Sequence, residues 1–484
     1  MTHRGLLAII AGWLVVASIA CAAPPTESAG EPVSIGQRFK IESAALGETR
    51  TYVVHKPRDY DFSSDAYPLV ILTDGDANIH HVTATTDFLA NAGRAQPMLV
   101  VGIDNTDRQR DLTPPFLSSP RERGPEGEIG GAQKFLSFIA DELIPHIDRS
   151  YRTRPTRILI GHSYGGLFAV YTLFNRPEVF KAYIAVSPSL WWDDQALAKQ
   201  ADQFVADHKQ LRFAMFMTMG NEGGTMLGGA QKVIGSLGSS PRNIGAMFHQ
   251  WPEESHSSVV MRSVYEGMEW LHEIYYIHDP ARTYEEAGLQ PFDKRFAFIS
   301  EYLGYEVKIP APLLMDLQHE LSLHERFADA QKVLQRVLEL YPNNATAHYD
   351  LGRSYLKTNQ TQLAAEELQR TLQLFPGNMD ARAELEKLGR DPKSLVVDAN
   401  PSAAALRSYV GEYHYSDEVL HVSVKDGRLF LKSRDDAREL RARSSTDFYA
   451  IGADREYTFN RQSGRIESVT VRLQDFEYRS RKVK

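Results

Sequence analysis

Ser163 stands between two glycines in Gly161-His162-Ser163-Tyr164-Gly165, within the segment "ILIGHSYGGLFAVY". A serine hydroxyl is a weak nucleophile at neutral pH and needs a base to take its proton. The G-x-S-x-G spacing provides a place for such chemistry, because small neighbours let the chain turn sharply and leave the hydroxyl exposed. The pattern alone is common, so its context matters. Here "RILI" reads as a strand before the motif and "GLFAVYTLF" as a helix after it, the strand-turn-helix setting that a strained nucleophile turn requires.

In this arrangement the partners follow in the order serine, acid, histidine. His256 is the best-placed base, in a polar loop ("PEESHSS") between the strand "AMFHQW" and a following helix. Glu222, in the loop after "RFAMFMTMG", is the leading acid, since a carboxylate there would fix the imidazole tautomer and stabilise the imidazolium. Asp193 and Asp194 in "SPSLWWDD" are its rivals, one strand earlier. Two backbone donors are needed for an oxyanion, one from Tyr164 and one from the loop "LTDGDAN", at Asp76 or Ala77. Arg108 and Arg110, with Arg121 and Arg123, could line a cationic pocket or could pair with neighbouring carboxylates. Trp191 and Trp192 are candidates for either the substrate pocket or the core. No Cys/His cluster suggests a metal, and no cofactor is called for.

These residues need a scaffold. "YPLVILTDGDAN" and "QPMLVVGIDN" are continuous apolar runs ending in polar loops, as in strands buried on both faces. With "AYIAVSPS" and "RFAMFMTMGN" they alternate with helical stretches, which predicts an α/β domain with a mostly parallel sheet over residues 32–280. Reactive groups then sit on loops at the carboxyl ends of the strands.

Several of these segments together, "IESAALGETRTYVVHKPRDYD", "VGIDNTDRQRDLTP", "GHSYGGLFAVYTLFNRPEVFKAYIAVSPSLWWDD" and the late "ESH", resemble the esterase D-like group of α/β hydrolases. That group includes siderophore esterases of the enterobactin and bacillibactin type. The resemblance covers about residues 34–278 and implies serine ester hydrolysis of a small-molecule ester, with Ser163 and His256 matching the nucleophile and base. Acyl transfer to an alcohol in place of water, and a non-enzymatic binding protein, are the competing readings.

The remainder of the chain changes character. Residues 281–310 are expected to be a linker. Over 311–390 a period of 34 links Leu317 to Leu351, Ala330 to Ala364, Leu334 to Leu368 and Pro342 to Pro376, which resembles tetratricopeptide helix pairs. Such a segment binds a protein partner or braces its neighbours. Residues 404–484 alternate around turns such as Asp426-Gly427, predicting a small antiparallel β domain.

The whole chain has 484 residues and a formal charge of −8, with no long basic run, which argues against a nucleic-acid partner. "GLLAIIAGWLVVASIA" near the start is an apolar segment fit for a signal peptide over residues 1–22, so export to a periplasmic or envelope location is expected. Cys21, the sole cysteine, ends that segment. It is a candidate for lipid attachment to a membrane, although Ser18 departs from the usual pattern, and ordinary peptidase cleavage is the alternative.

Overall fold

The computed structural model describes residues 33–484 except 59, 62, 64, 117–122, 125–126, 241–244, 393–394, 397, 416–417, 435, 474–475 and 484. The expected signal peptide, Cys21 and Arg121 therefore lie outside the described residues. The sheet contains β1 (Gln37–Ser43), β2 (Glu48–His55), β3 (Tyr67–Leu72), β4 (Leu99–Ile103), β5 (Thr153–His162), β6 (Ala182–Val186), β7 (Ala214–Met219) and β8 (Gly245–Gln250). Their order is β1-β2-β4-β3-β5-β6-β7-β8. β1 and β2 run antiparallel to each other, and β2 antiparallel to β4. From β4 onward all neighbours are parallel.

The apolar runs explain this layout. Every residue of β3, β4, β6 and β7 is buried, because helices cover both faces of a sheet built by parallel crossovers. Helix Tyr164–Asn175 lies almost wholly inside the molecule. Helix Val259–His272 instead shows one buried stripe, through Val260, Val264 and Met268, the pattern of a helix with one face in water.

Residues 281–310 carry structure where a linker was expected. Helices Pro280–Ala287 and Gln290–Leu303 occupy them, and Phe292, Phe296, Ile299 and Leu303 bury an i, i+4, i+7, i+11 stripe. Pro280 and Pro291 open these helices at positions where a missing N–H costs nothing. The second helix rests on the α/β part: the Tyr302 hydroxyl donates to the Lys181 carbonyl at 2.6 Å, and Glu301 pairs with Arg212 at 2.6 Å.

Five helices follow, Ala311–Leu323, Phe327–Leu340, Ala345–Lys357, Thr361–Leu374 and Met379–Lys387. The 34-residue period reappears in their caps. Asn344 and Asn378 each accept, through the side chain, the backbone N–H three residues on, satisfying a donor the helix start leaves open. A Cβ at Gly352 would stand 2.9 Å from Leu368 Cγ, so the glycine allows the paired helices to approach.

The C-terminal strands form a closed antiparallel barrel of eight, from Gly411–Tyr415 to Phe476–Lys482, sealed where Tyr413 and His414 pair with Lys482 and Arg481. Asp426 and Gly427 both have positive φ, at 50° and 75°, as a two-residue hairpin of this hand demands. Tyr413, Phe448, Tyr457 and Phe459 fill the interior. The barrel abuts the repeats: the Gly452 amide donates to the Gly377 carbonyl at 2.9 Å. A Cβ at Gly377 would come within 1.9 Å of the Ala450 carbonyl oxygen. Residues 36–484 form one unit, and no described helix is long and apolar enough to cross a membrane.

Candidate active site

β5 ends at His162, helix Tyr164–Asn175 begins one residue later, and Ser163 makes the whole turn between them. Its backbone sits at φ 60°, ψ −113°, a strained conformation for a residue with a Cβ and one typical of functional turns. Three backbone hydrogen bonds hold it there: Ser163 N–H donates to the Val186 carbonyl at 2.9 Å, and its carbonyl accepts from Leu167 at 3.0 Å and from Ser189 at 3.1 Å. The glycines are steric necessities. A Cβ on Gly161 would meet the Gly165 carbonyl oxygen at 2.1 Å, and one on Gly165 would meet Thr73 Oγ1 at 2.4 Å.

Glu222 and His256 come together from loops 34 residues apart. Glu222 Oε1 lies 2.5 Å from His256 Nδ1, which leaves Nε2 as the nitrogen able to accept a proton from elsewhere. The loops are pinned to each other: Asn221 N–H donates to the Glu254 carbonyl at 2.7 Å, and Gln250 Nε2 donates to the Gly220 and Glu222 carbonyls at 3.1 and 3.2 Å. Gly220 permits the approach, since a Cβ there would stand 2.6 Å from the Glu254 carbonyl oxygen. Burial pushes the Glu222 carboxyl upward, but its bonds to His256 and to backbone outweigh that, leaving it below the ordinary carboxylate range.

The His256 loop lies against the serine turn through His162. His162 Nε2 donates to the His256 carbonyl at 2.7 Å, and the two rings are 4.6 Å apart between centroids. That bond fixes the His162 tautomer. Burial, reinforced by the adjacent His256, pushes His162 down to about 4, so it is neutral at pH 7. The Ser163 hydroxyl has Ser189 Oγ as its hydrogen-bond partner at 3.3 Å, not His256.

Around the serine, Tyr164 opens its helix, so its amide lacks an intrahelical acceptor. Of the two amides expected in the loop after β3, one is already engaged. Ala77 N–H donates to the Asp74 carbonyl at 3.1 Å, because helix Gly75–Asn91 has already begun; the Asp76 amide, at the second helical position, has no acceptor within its helix. Gly75 brings this loop onto β4, where a Cβ would lie 2.5 Å from the Gly102 carbonyl carbon.

The arginines are engaged with carboxylates. Arg108 donates to both Asp74 oxygens at 2.5 and 3.0 Å and to the His162 carbonyl at 3.2 Å. It thereby ties the loop after β3 to the serine turn, a link between distant residues that no local pattern reveals. Arg110 pairs with Glu48 and Asp111, both at 2.7 Å, and so serves the scaffold. Asp111 also pairs with the fully buried Arg50. Of the tryptophans, Trp192 is core, its indole N–H donating to the Pro114 carbonyl at 3.0 Å. Trp191 is 41% exposed and lies 6.1 Å from the Tyr164 ring. Asp194 pairs with Lys199 at the surface, and Asp193 is buried in the same turn; the carboxylate at His256 is that of Glu222. Among the described residues no group of three or more His, Cys, Asp and Glu side chains is placed to hold a metal ion.

Comparison with known proteins agrees with this layout. Residues 43–227 match the Esterase family model, and residues 324–378 match a tetratricopeptide repeat model. The chain is 35% identical over 181 residues to the ferri-bacillibactin esterase BesA of Bacillus subtilis strain 168, covering 34% of this chain and 62% of that protein. It is 33% identical over 163 residues to a siderophore enterobactin esterase of Emericella nidulans, covering 30% of this chain and 54% of that one. The chain thus spans less than two thirds of these relatives. Among solved structures, an IroE-like serine hydrolase from Shewanella oneidensis superposes with a TM-score of 0.51 at 28% identity, over 63% of this chain and 99% of its own. The α/β part of the chain is thus similar to the Esterase family over residues 43–227, and it is followed by a tetratricopeptide-like helical segment and an antiparallel barrel.

Proposed function

We propose that the protein is an exported serine hydrolase of carboxylic esters, with Ser163 as nucleophile, His256 as general base and then acid, and Glu222 as the orienting carboxylate. The observation that carries this reading is the 2.5 Å contact of Glu222 with His256 Nδ1, on a loop bonded to the residue before a serine at φ 60°. With Nδ1 committed, Nε2 takes the Ser163 proton as Oγ attacks the ester carbonyl. The amides of Tyr164 and Asp76 receive the developing oxyanion. His256 returns the proton to the departing alcohol, and water, deprotonated by the same nitrogen, releases the acid from the acyl-enzyme.

A siderophore-type ester is the substrate class suggested by the printed activities of the relatives. The chemistry does not depend on that choice, because Arg108 and Arg110 are held by carboxylates and leave the described site without a cluster of free cations. Export rests on the apolar segment ending at Cys21. The repeats act as a brace, supported by their contact with the barrel at Gly377.

A fluorophosphonate probe and a panel of p-nitrophenyl esters and ferric siderophores test the proposal. Wild type should label and turn over esters, and Ser163→Ala should do neither while keeping its melting temperature. A folded wild type that does not label would refute it.

A further inference from the structure

A cavity of about 300 Å³ lies far from Ser163, at the opposite edge of the sheet. Its floor is made by the starts of parallel strands, at Pro68 of β3, Thr156 and Ile158 of β5, Ala182 of β6 and Ala214 of β7. The site described above sits at the other ends of these strands. The roof comes from the end of helix Val259–His272 and from helix Gln290–Leu303, so the cavity forms where the helical extension meets the α/β part.

Three features say what would fill it. The walls are apolar and soft, with Met98, Met268 and Ile158 around small alanines, and methionine sulfur packs well against aromatic ring edges. Thr156 is 8% exposed, and its Oγ1 is a buried polar atom with no hydrogen-bond partner. An unmade bond at such a site is expensive and calls for an explanation. At the rim, Arg295 is exposed and has no carboxylate partner among the described residues. His272 is kept neutral by burial, at about 4, with Arg94 adding to the effect. The wall carboxylate, Glu273, lies 3.5 Å from His278. A volume of 300 Å³ is at the small end of ligand sites and, at about 30 Å³ for each water-sized group, takes roughly ten heavy atoms.

We propose that this cavity is a binding site for a hydroxylated phenyl carboxylic acid. The ring lies between the methionines and Ile158, the ring hydroxyl bonds to Thr156 Oγ1, and the carboxylate meets Arg295 at the rim. This site is independent of Ser163 chemistry, and its test does not require turnover.

The experiment is calorimetric titration and thermal melting of the full chain with 4-hydroxyphenylacetate, phenylacetate (no hydroxyl) and 4-methylphenol (no carboxylate). Wild type should bind 4-hydroxyphenylacetate most tightly. Thr156→Val should weaken that ligand several-fold and leave phenylacetate unchanged. Arg295→Gln, at an exposed position that does not threaten the fold, should weaken both acids roughly tenfold and leave 4-methylphenol unchanged. Absence of binding to wild type would overturn the proposal, and so would equal affinities in wild type and both variants. A site at Ser163 would instead respond to neither substitution. Ester turnover lost with binding intact would count against the proposed function and not against this cavity.

Discussion

Replacing Glu222 by Gln isolates the electrostatic part of the proposed mechanism. The substitution keeps size and hydrogen-bonding capacity but removes the charge that faces His256 Nδ1. As the serine proton moves to Nε2, the ring becomes a cation about 4 Å from the carboxylate charge. At an effective dielectric near 20, that attraction is about 4 kcal/mol, or about a thousandfold in rate. The Glu222 side chain is 15% exposed, so solvent weakens the interaction only modestly. A glutamine amide can also donate to Nδ1 and hold the wrong tautomer, which extends the expected loss toward ten-thousandfold. The loss should fall on kcat with little change in KM, because the charge acts only as the transition state forms. Initial rates on p-nitrophenyl butyrate, with circular dichroism and melting as controls, measure this. A correctly folded variant that loses less than tenfold, or an Asp194→Asn variant that loses as much, would refute the assignment of Glu222.

Further perturbations reach other parts of the molecule. His162 and His272 both have folded values lowered to about 4 from 6.5, so the unfolded chain binds more protons between those limits. Stability should therefore fall as pH drops from 6.5 to 4, by up to about 3 kcal/mol for each group; chemical denaturation across that range should show a shallower slope in His162→Gln. Asp111→Asn leaves the buried Arg50 with Glu48, at 3.0 Å, in place of two carboxylates and should cost roughly 1–3 kcal/mol, read as a lower urea midpoint. Gly161→Ala places a methyl 2.1 Å from the Gly165 carbonyl oxygen and should abolish fluorophosphonate labelling even where soluble protein is recovered, whereas Gly228→Ala, where a Cβ meets nothing within 4 Å, should leave labelling unchanged.

What could be read from the chain depended on whether the determining contacts were local. The serine turn was legible because its glycines encode a close approach within five residues, and the parallel sheet because β3, β4, β6 and β7 are apolar at every position or nearly so. The 34-residue period announced the paired helices in the same way. The bond from His162 to the His256 carbonyl spans 94 positions and that from Arg108 to Asp74 spans 34, and no residue type at either end specifies its partner. The stripe through Phe292, Phe296 and Ile299 was present in the sequence, and Pro280 and Pro291 open the helices of this segment instead of interrupting them. Barrel closure depends on the first and last strands finding each other, which alternation along either one does not encode.

The helix Gln290–Leu303 gives the order of synthesis a physical meaning. The α/β part leaves the ribosome before its cover exists, so Lys181 and the apolar starts of four strands face water until residue 303 has emerged. Even the last of these strand starts, Ala214, waits about 4–18 seconds in the growing chain at roughly 5–20 residues per second. The exposure would be permanent in a polypeptide ended at residue 280, which should be recovered largely as aggregate.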